Sequence, residues 1–268
     1  MFGRRAWRCA AYVLLYALLS ACDQPTSIIQ PPSRRLLIHA VLDGAGYAQW
    51  VTVKYLYAND VQGALHIPGS RVTITPPGGQ EIVAKEVPAN VGGGYYFDNL
   101  DPVTEIPIIP GGTYTLHVTT PAGEEASGTT TMPVFIAVSR FPEVYEFDRL
   151  RDTLRLTWNR IQFASRYQVF INSSVPIDSD LVTNWSYSVF TDTTFSLAGT
   201  SRTIDNDPVF PAGGHAIIGV FAVDDNYYTY YRSAVDPFAG APPSRLQGAV
   251  GVFGAIGPAR REVQLSVR

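Results

Sequence analysis

Short runs in which apolar and polar residues alternate recur along most of the chain, and this period of two is typical of half-buried β-strands. Turn-forming clusters such as Pro76–Gly79 separate the runs. Many short strands joined by turns predict an all-β protein. The predicted strands are Leu36–Leu42, Gln49–Tyr55, Arg71–Thr75, Gly92–Phe97, Thr113–Thr119, Asp152–Trp158, Ala164–Ile171, Phe210–Val223, Asn226–Arg232, Gly248–Ala255 and Arg261–Val267.

The first residues follow a different pattern. Three arginines precede an apolar run from Cys9 to Leu19, which is shorter than the roughly 20 residues that span a bilayer but is typical of a signal-peptide core. The run ends in Leu-Ser-Ala-Cys22, which resembles the lipobox of bacterial lipoproteins. The resemblance implies a signal peptide at 1–21 and lipidation of Cys22. An ordinary secretory signal that happens to contain a cysteine is the alternative.

Cysteine count and charge fit an exported, anchored protein. Cys9 and Cys22 are the two cysteines of the chain, so cleavage after residue 21 leaves no pair for an intramolecular disulfide. The chain has 20 basic and 23 acidic residues, and cleavage removes three arginines and no acid, which leaves 17 against 23. This acidic balance argues against a nucleic-acid partner, which would require a basic surface.

The residues after Cys22 divide into a tether and a body. Prolines and polar residues at 22–33 indicate an extended, flexible tether. The rest is long enough for one large or two modest domains. We expect two consecutive β-sandwich domains at 34–133 and 134–234, followed by C-terminal strands at 235–268 that pack on the body.

The first half of the body contains Pro68–Thr75, Gly94-Tyr95 and Pro110–Gly123. These stretches resemble the carboxypeptidase-regulatory-like, or prealbumin-like, sandwiches of bacterial surface proteins. In those sandwiches a tyrosine after a Pro-Gly turn anchors a corner. The resemblance implies this role for Tyr114.

The second half contains three further alternating segments: Asp152–Trp158, Ala164–Ile171 and Phe210–Val223. They resemble the B, C and F strands of a fibronectin type III sandwich, a fold of the immunoglobulin-like class. The resemblance implies that Trp158 and Tyr167 are core aromatics. The sequence departs from the pattern at Ala216, where the usual corner tyrosine is missing.

Together with the lipobox and the terminal Gly248–Ala255 segment, these features resemble an uncharacterised family of bacterial outer-membrane lipoproteins. Members of that family often accompany outer-membrane nutrient-uptake receptors. The resemblance implies an outer-membrane location and attachment to the lipid bilayer through acylated Cys22. It also implies an outer-membrane receptor or another envelope protein as a partner.

Local motifs for catalysis are absent from the sequence. There is no His-x-x-x-His or Cys-x-x-Cys spacing for zinc and no Gly-x-Ser-x-Gly elbow. The four histidines are far apart: His39, His66, His117 and His215. We therefore expect no enzyme and no cofactor. A hydrolase with a site assembled from distant residues is the alternative.

Two acidic clusters are candidates for a calcium site because carboxylate oxygens are the ligands that calcium prefers. The aspartates concerned are Asp205, Asp207, Asp224 and Asp225. Aspartate and asparagine beside strands are also ordinary turn residues, which is the alternative interpretation.

Aromatic residues give the remaining signal for a ligand site: Tyr227, Tyr228, Tyr230, Tyr231 and Trp185. In the predicted strand, Tyr228 and Tyr230 share one face and Tyr227 and Tyr231 the other. Cross-strand packing that only stabilises the sheet is the alternative. The function that follows is a non-enzymatic binding or scaffold component, accessory to an outer-membrane uptake or assembly complex. A surface protein that captures glycan or peptide is the alternative.

Overall fold

The computed structural model describes residues 34–57, 65–134, 144–178, 181–235, 244–257 and 261–268. The predicted signal peptide, Cys22 and the tether at 22–33 lie outside these residues. The described residues form 17 strands, one α-helix and a short 3-10 helix at Ala89–Val91. The all-β class is confirmed.

The first nine strands precede residue 134 and largely match the alternating runs of the sequence. They are β1 (Arg34–Asp43), β2 (Ala48–Tyr57), β3 (Leu65–His66), β4 (Arg71–Thr75), β5 (Ile82–Val83), β6 (Lys85–Val87), β7 (Gly94–Asp98), β8 (Thr113–Thr119) and β9 (Glu125–Thr131). The later elements are β10 (Val144–Phe147), β11 (Thr153–Thr157), β12 (Arg166–Asp178), β13 (Leu181–Thr191), β14 (Thr194–Ala198), β15 (His215–Val223), α1 (Asp225–Val235), β16 (Val250–Ile256) and β17 (Arg261–Val267).

A central sheet connects the two halves of the body. Eleven of the described strands belong to it, with the order β10-β17-β15-β16-β1-β2-β7-β6 and with β12, β13 and β3 attached beside this path. A four-stranded sheet, β5-β4-β8-β9, and a two-stranded sheet, β11-β14, form the second layers. Because side chains from both layers share common cores, the arrangement is a β-sandwich.

The first core lies between the central sheet and the four-stranded sheet. Ile38 and Val53 of the central sheet pack in the same cluster as Ile74 and Leu116 of the opposite layer, and all four are fully buried. Tyr114 is also fully buried, and its hydroxyl donates to the Pro107 carbonyl oxygen at 2.7 Å while it accepts the Ile109 N–H at 2.7 Å. The Tyr114 side chain is thus anchored in the first core, and its expected role as the corner tyrosine of a prealbumin-like sandwich stays a prediction.

The second core lies between the two-stranded sheet and strands β10, β12, β15 and β17. Trp158 and Tyr167 are both buried, and their rings meet edge to face with 5.4 Å between centroids. The Tyr167 hydroxyl accepts the Ile161 N–H at 2.7 Å. The prediction that both rings are core residues is confirmed, and Ala216, the departure from the fibronectin pattern, is fully buried in the same cluster.

The two C-terminal strands divide between the halves. β16 runs parallel to β1, with Ile38 opposite Gly251, and adds Phe253 to the first core. β17 pairs with β15 and β10 and adds Leu265 to the second core. Arg34–Arg268 forms one compact unit. The domain limits placed at residues 133 and 234 stay a prediction.

The tyrosine-rich segment differs from the sequence prediction. A strand at Asn226–Arg232 was expected, and this prediction was wrong because the segment belongs to helix α1. The carboxylate of Asp224 caps the helix: Oδ1 accepts the Tyr227 N–H at 2.9 Å, which satisfies a backbone donor of the first turn. The β-propensity of tyrosine is overridden by this cap and by packing. Within the described residues, α1 and the short 3-10 helix both lack the length and apolar character needed to cross a bilayer.

Candidate binding surface

One face of the central sheet carries an aromatic row. Directly opposed residues on neighbouring strands point to the same face of a sheet, and Tyr96 on β7 lies opposite both Trp50 on β2 and Lys85 on β6. His39 on β1 lies opposite Thr52, two residues from Trp50. On β1, β2 and β7 these side chains alternate with buried core residues, so they define the outer face of the sheet, which points away from the first core.

The predicted tyrosine cluster also lies on the outer face, because α1 packs against β16. Gly254 on β16 leaves room for the helix, since a Cβ there would lie 2.9 Å from the Tyr227 nitrogen. The Tyr227 hydroxyl donates to Gln168 Oε1 at 2.9 Å, and its ring lies 4.3 Å from that of Tyr231. Burial raises the pKa of Tyr227 to about 12. Tyr227 and Tyr231 therefore hold the helix on the sheet.

The other two tyrosines point to different neighbours. The strand prediction placed Tyr228 and Tyr230 on one face, but the helix separates them. The Tyr228 ring packs 5.2 Å from Phe190, and the Arg166 guanidinium lies 5.3 Å from its centroid. Tyr230 lies 6.2 Å from His39. Tyr228 therefore packs against β12 and β13 in the second half of the sheet, and Tyr230 lies near β1 in the first half. The role of the tyrosine cluster in ligand binding stays a prediction.

The fifth predicted aromatic, Trp185, belongs to β13 and lies opposite Ser173 of β12. Its side chain is outside the described part of the structure. Its predicted role in ligand binding also stays untested.

His39 links the aromatic row to the helix, because its Nε2 lies within hydrogen-bond distance of the Tyr231 hydroxyl. Burial lowers the pKa of His39, an effect that its own backbone hydrogen bond partly offsets. Burial also raises the pKa of Tyr231. At neutral pH the His39 imidazole is therefore neutral and the Tyr231 phenol protonated, so the Tyr231 hydroxyl donates and His39 Nε2 accepts.

Because His39 and Tyr231 form this pair, we expect the protein to lose stability on mild acidification. Because the folded state lowers the pKa of His39 below the ordinary 6.5 of histidine, protonation of His39 favours the unfolded state. The protein therefore keeps this contribution to its stability above pH 6.5 and loses it as the pH falls below that value. Urea unfolding should show a lower free energy of unfolding at about pH 5.5 than at about pH 7.5, and His39→Gln should reduce the difference. His215→Gln, at an exposed histidine, is the control. An unchanged difference in His39→Gln would contradict the assignment.

The predicted calcium ligands do not assemble into one site. Asp224 is buried and engaged by the Tyr227 and Ala255 N–H groups and by the Thr130 hydroxyl, so burial raises its pKa while these bonds oppose the rise. Asp205 and Asp207 are exposed in a tight turn around Asn206. Among the described residues, no three histidine, cysteine or acidic side chains form a group that could hold a metal ion. Calcium binding stays a prediction without such a cluster to support it.

Trp50 is the feature that the sequence analysis missed. Its side chain is 55% exposed although it stacks on Tyr96, with 5.5 Å between centroids and 28° between planes. Lys85 lies 5.9 Å above the Tyr96 ring and forms an ion pair with Asp101, which raises the pKa of Lys85 and lowers that of Asp101. The available signal was the position of a tryptophan on the polar side of β2, in alternation with Thr52.

Three more exposed large apolar side chains lie in the loops that border β2 and β7, the strands of this pair. Tyr47, Leu100 and Val103 are 77%, 76% and 80% exposed. Asn99 connects the loop after β7 to the turn between β1 and β2. Its N–H donates to the Tyr47 carbonyl oxygen at 2.9 Å, and its side-chain amide donates to the Gly46 carbonyl oxygen at 3.0 Å. We call the set Tyr47, Trp50, Tyr96, Leu100 and Val103 the Trp50 surface.

Comparison with known proteins assigns a family. A family model described as "Domain of unknown function (DUF4249)" matches residues 24–262. The chain belongs to this family. The expectation of an uncharacterised family is confirmed at that level, and both the Trp50 surface and α1 of this DUF4249 protein lie within the matched residues. Lipoprotein status and the prealbumin-like assignment stay predictions.

Two other comparisons add little. The comparison with curated proteins gives no match. Among solved structures, the chain is similar to "Crystal structure of chicken CNTN1 FN1-FN3 domains", with 14% identity over 85% of this chain and 68% of that chain and a TM-score of 0.29. A superposition with so low a score supports no argument about function.

Proposed function

We propose that this DUF4249 protein is a non-enzymatic binding protein of the bacterial cell envelope, anchored in the outer membrane through lipidated Cys22. The observation that carries the proposal is the Trp50 surface. Contiguous exposed apolar patches on folded domains mark interaction sites. Tryptophan and tyrosine are also the residues most often found to dominate binding energy.

The Trp50 surface has properties that favour binding, and the packing of the sheet does not require them. The Trp50 ring is held by Tyr96 and by the strand register, so little side-chain freedom remains to be lost when a ligand covers it. The core residues beneath it, Val51 and Tyr95, are buried independently. The exposed ring therefore adds contact area for a ligand without a structural need for it.

The anchor follows from the sequence at Leu19–Cys22. Two or more acyl chains on one cysteine hold a protein stably at a membrane, whereas a single chain holds it weakly. The proline-containing tether then gives the body reach from the lipid surface to a partner. A partner in the same membrane, such as an uptake or assembly complex, suits this geometry.

The anchor is tested by the two cysteines of the full-length protein. Cys22→Ala should abolish incorporation of labelled palmitate and release the protein from the membrane fraction. Cys9→Ala is the matched control, because Cys9 leaves with the signal peptide and its loss should change neither result. Palmitate labelling that persists in Cys22→Ala, or that disappears in Cys9→Ala, would refute lipidation at Cys22.

A further inference from the structure

We propose that the Trp50 surface docks a protein partner whose contact segment carries apolar side chains flanked by basic ones. The inference rests on the proposed function, because it names the class of ligand for the same surface. It follows from three properties of the surface: the kind of apolar group it presents, the rigidity of the loops that present them, and its charge.

The apolar groups favour a protein over a sugar. Trp50 and Tyr96 could stack against either, but Leu100 and Val103 offer no aromatic face for a sugar ring and no side-chain hydrogen bond for its hydroxyl groups. Both are more than three-quarters exposed. Their burial beneath apolar side chains of a partner is favourable in proportion to the area covered. Aromatic anchors with aliphatic neighbours are typical of the centre of a protein interface.

Hydrogen bonds fix the loops that carry these groups. Asp98 Oδ1 accepts the Leu100 N–H at 2.9 Å, and Asp101 Oδ1 accepts the Val103 N–H at 3.0 Å. Asn99 ties the same loop to the β1–β2 turn, as described above. A surface that is ordered before binding loses less conformational entropy when the complex forms.

The charge of the surface selects a basic partner. Lys85 is paired with Asp101, whereas Asp98 and Glu105 form no ion pair with any residue in the described ranges. Asp98 is close enough to contribute to the raised pKa of Lys85. The N–H of Glu105 donates to the Asp101 carbonyl oxygen at 2.8 Å, so Glu105 belongs to the same loop. Complementary potentials across an interface steer association and reject partners of like charge.

The test uses the full-length lipidated protein in detergent and two synthetic peptide libraries. Both libraries carry the same aromatic and aliphatic residues, and the flanking positions hold lysine in one and glutamate in the other. We expect binding from the lysine library only. Trp50→Ala should weaken the best binders at least about tenfold. The double variant Asp98→Asn, Glu105→Gln should weaken them and reduce their dependence on salt.

Phe163→Ala is the matched control, because Phe163 is an exposed aromatic outside the surface, at 54% against 55% for Trp50. Equal binding of both libraries, or an equal loss in Phe163→Ala, would overturn the inference. Glycan-array or vesicle binding that depends on Trp50, without peptide binding, would overturn it while leaving the proposed binding function in place. If no peptide, glycan or vesicle binding depends on Trp50, the binding function proposed for this surface is refuted as well.

Discussion

Trp158→Ala is expected to lower the free energy of unfolding by about 3–5 kcal/mol, the range typical of large buried aromatic side chains. Trp158 is 7% exposed and packs edge to face on Tyr167 in the second core, so its removal leaves a cavity that the surrounding strands cannot fill. Its buried indole N–H has no hydrogen-bond partner among the residues that the structure describes. Because the wild type already bears this desolvation cost, we expect a value in the lower part of the range.

The same substitution at Trp50 is the matched control. Trp50 is 55% exposed and contacts Tyr96 across the sheet, so Trp50→Ala should cost less than about 1 kcal/mol, the value of a cross-strand pair. Urea unfolding followed by far-ultraviolet circular dichroism measures both variants without relying on tryptophan fluorescence. Equal costs at the two positions would contradict the placement of Trp158 in a core and of Trp50 on a surface.

Local pattern predicted the strands well where one face is buried. The alternation in Arg71–Thr75 and Thr113–Thr119 gives the observed bounds of β4 and β8, because each strand has a core on one side. The expected roles of Tyr114 as a corner anchor and of Trp158 as a core aromatic came instead from the resemblance to known sandwich families. The sequence does not predict which strands pair with each other. The parallel pairing of β1 with β16, for example, joins residues from opposite ends of the chain. No local signal specifies such a pairing.

The candidate site was less predictable than the fold. Asp224 was interpreted as a calcium ligand, but an aspartate directly before a periodic segment is also the signature of a helix N-cap. The spacing of Tyr227 and Tyr231 fits a helix face as well as a strand face, and the β-propensity of tyrosine favoured the wrong choice. Trp50 was assigned to a strand, but its exposure depends on which layer covers the sheet. That is a property of tertiary packing.

Gly251→Ala is expected to destabilise the fold by about 4 kcal/mol, near the upper end of single-residue effects. Gly251 has a backbone φ of +116°, a conformation that residues with a Cβ rarely adopt. A Cβ at this position would lie 1.9 Å from the Ile38 carbonyl oxygen of β1. Because the obstruction is backbone of the neighbouring strand and not the end of a flexible side chain, relief requires β16 to move away from β1.

Gly78→Ala separates the steric part of this effect from the backbone part. Gly78 has φ of +65°, but nothing lies within 4 Å of the position of its Cβ, so only the conformational cost of about 1–2 kcal/mol applies. Urea unfolding of both variants by circular dichroism measures the difference. A cost at Gly251 no larger than that at Gly78 would mean that β16 does not approach β1 so closely. The parallel pairing that joins β16 to the first core would then be wrong.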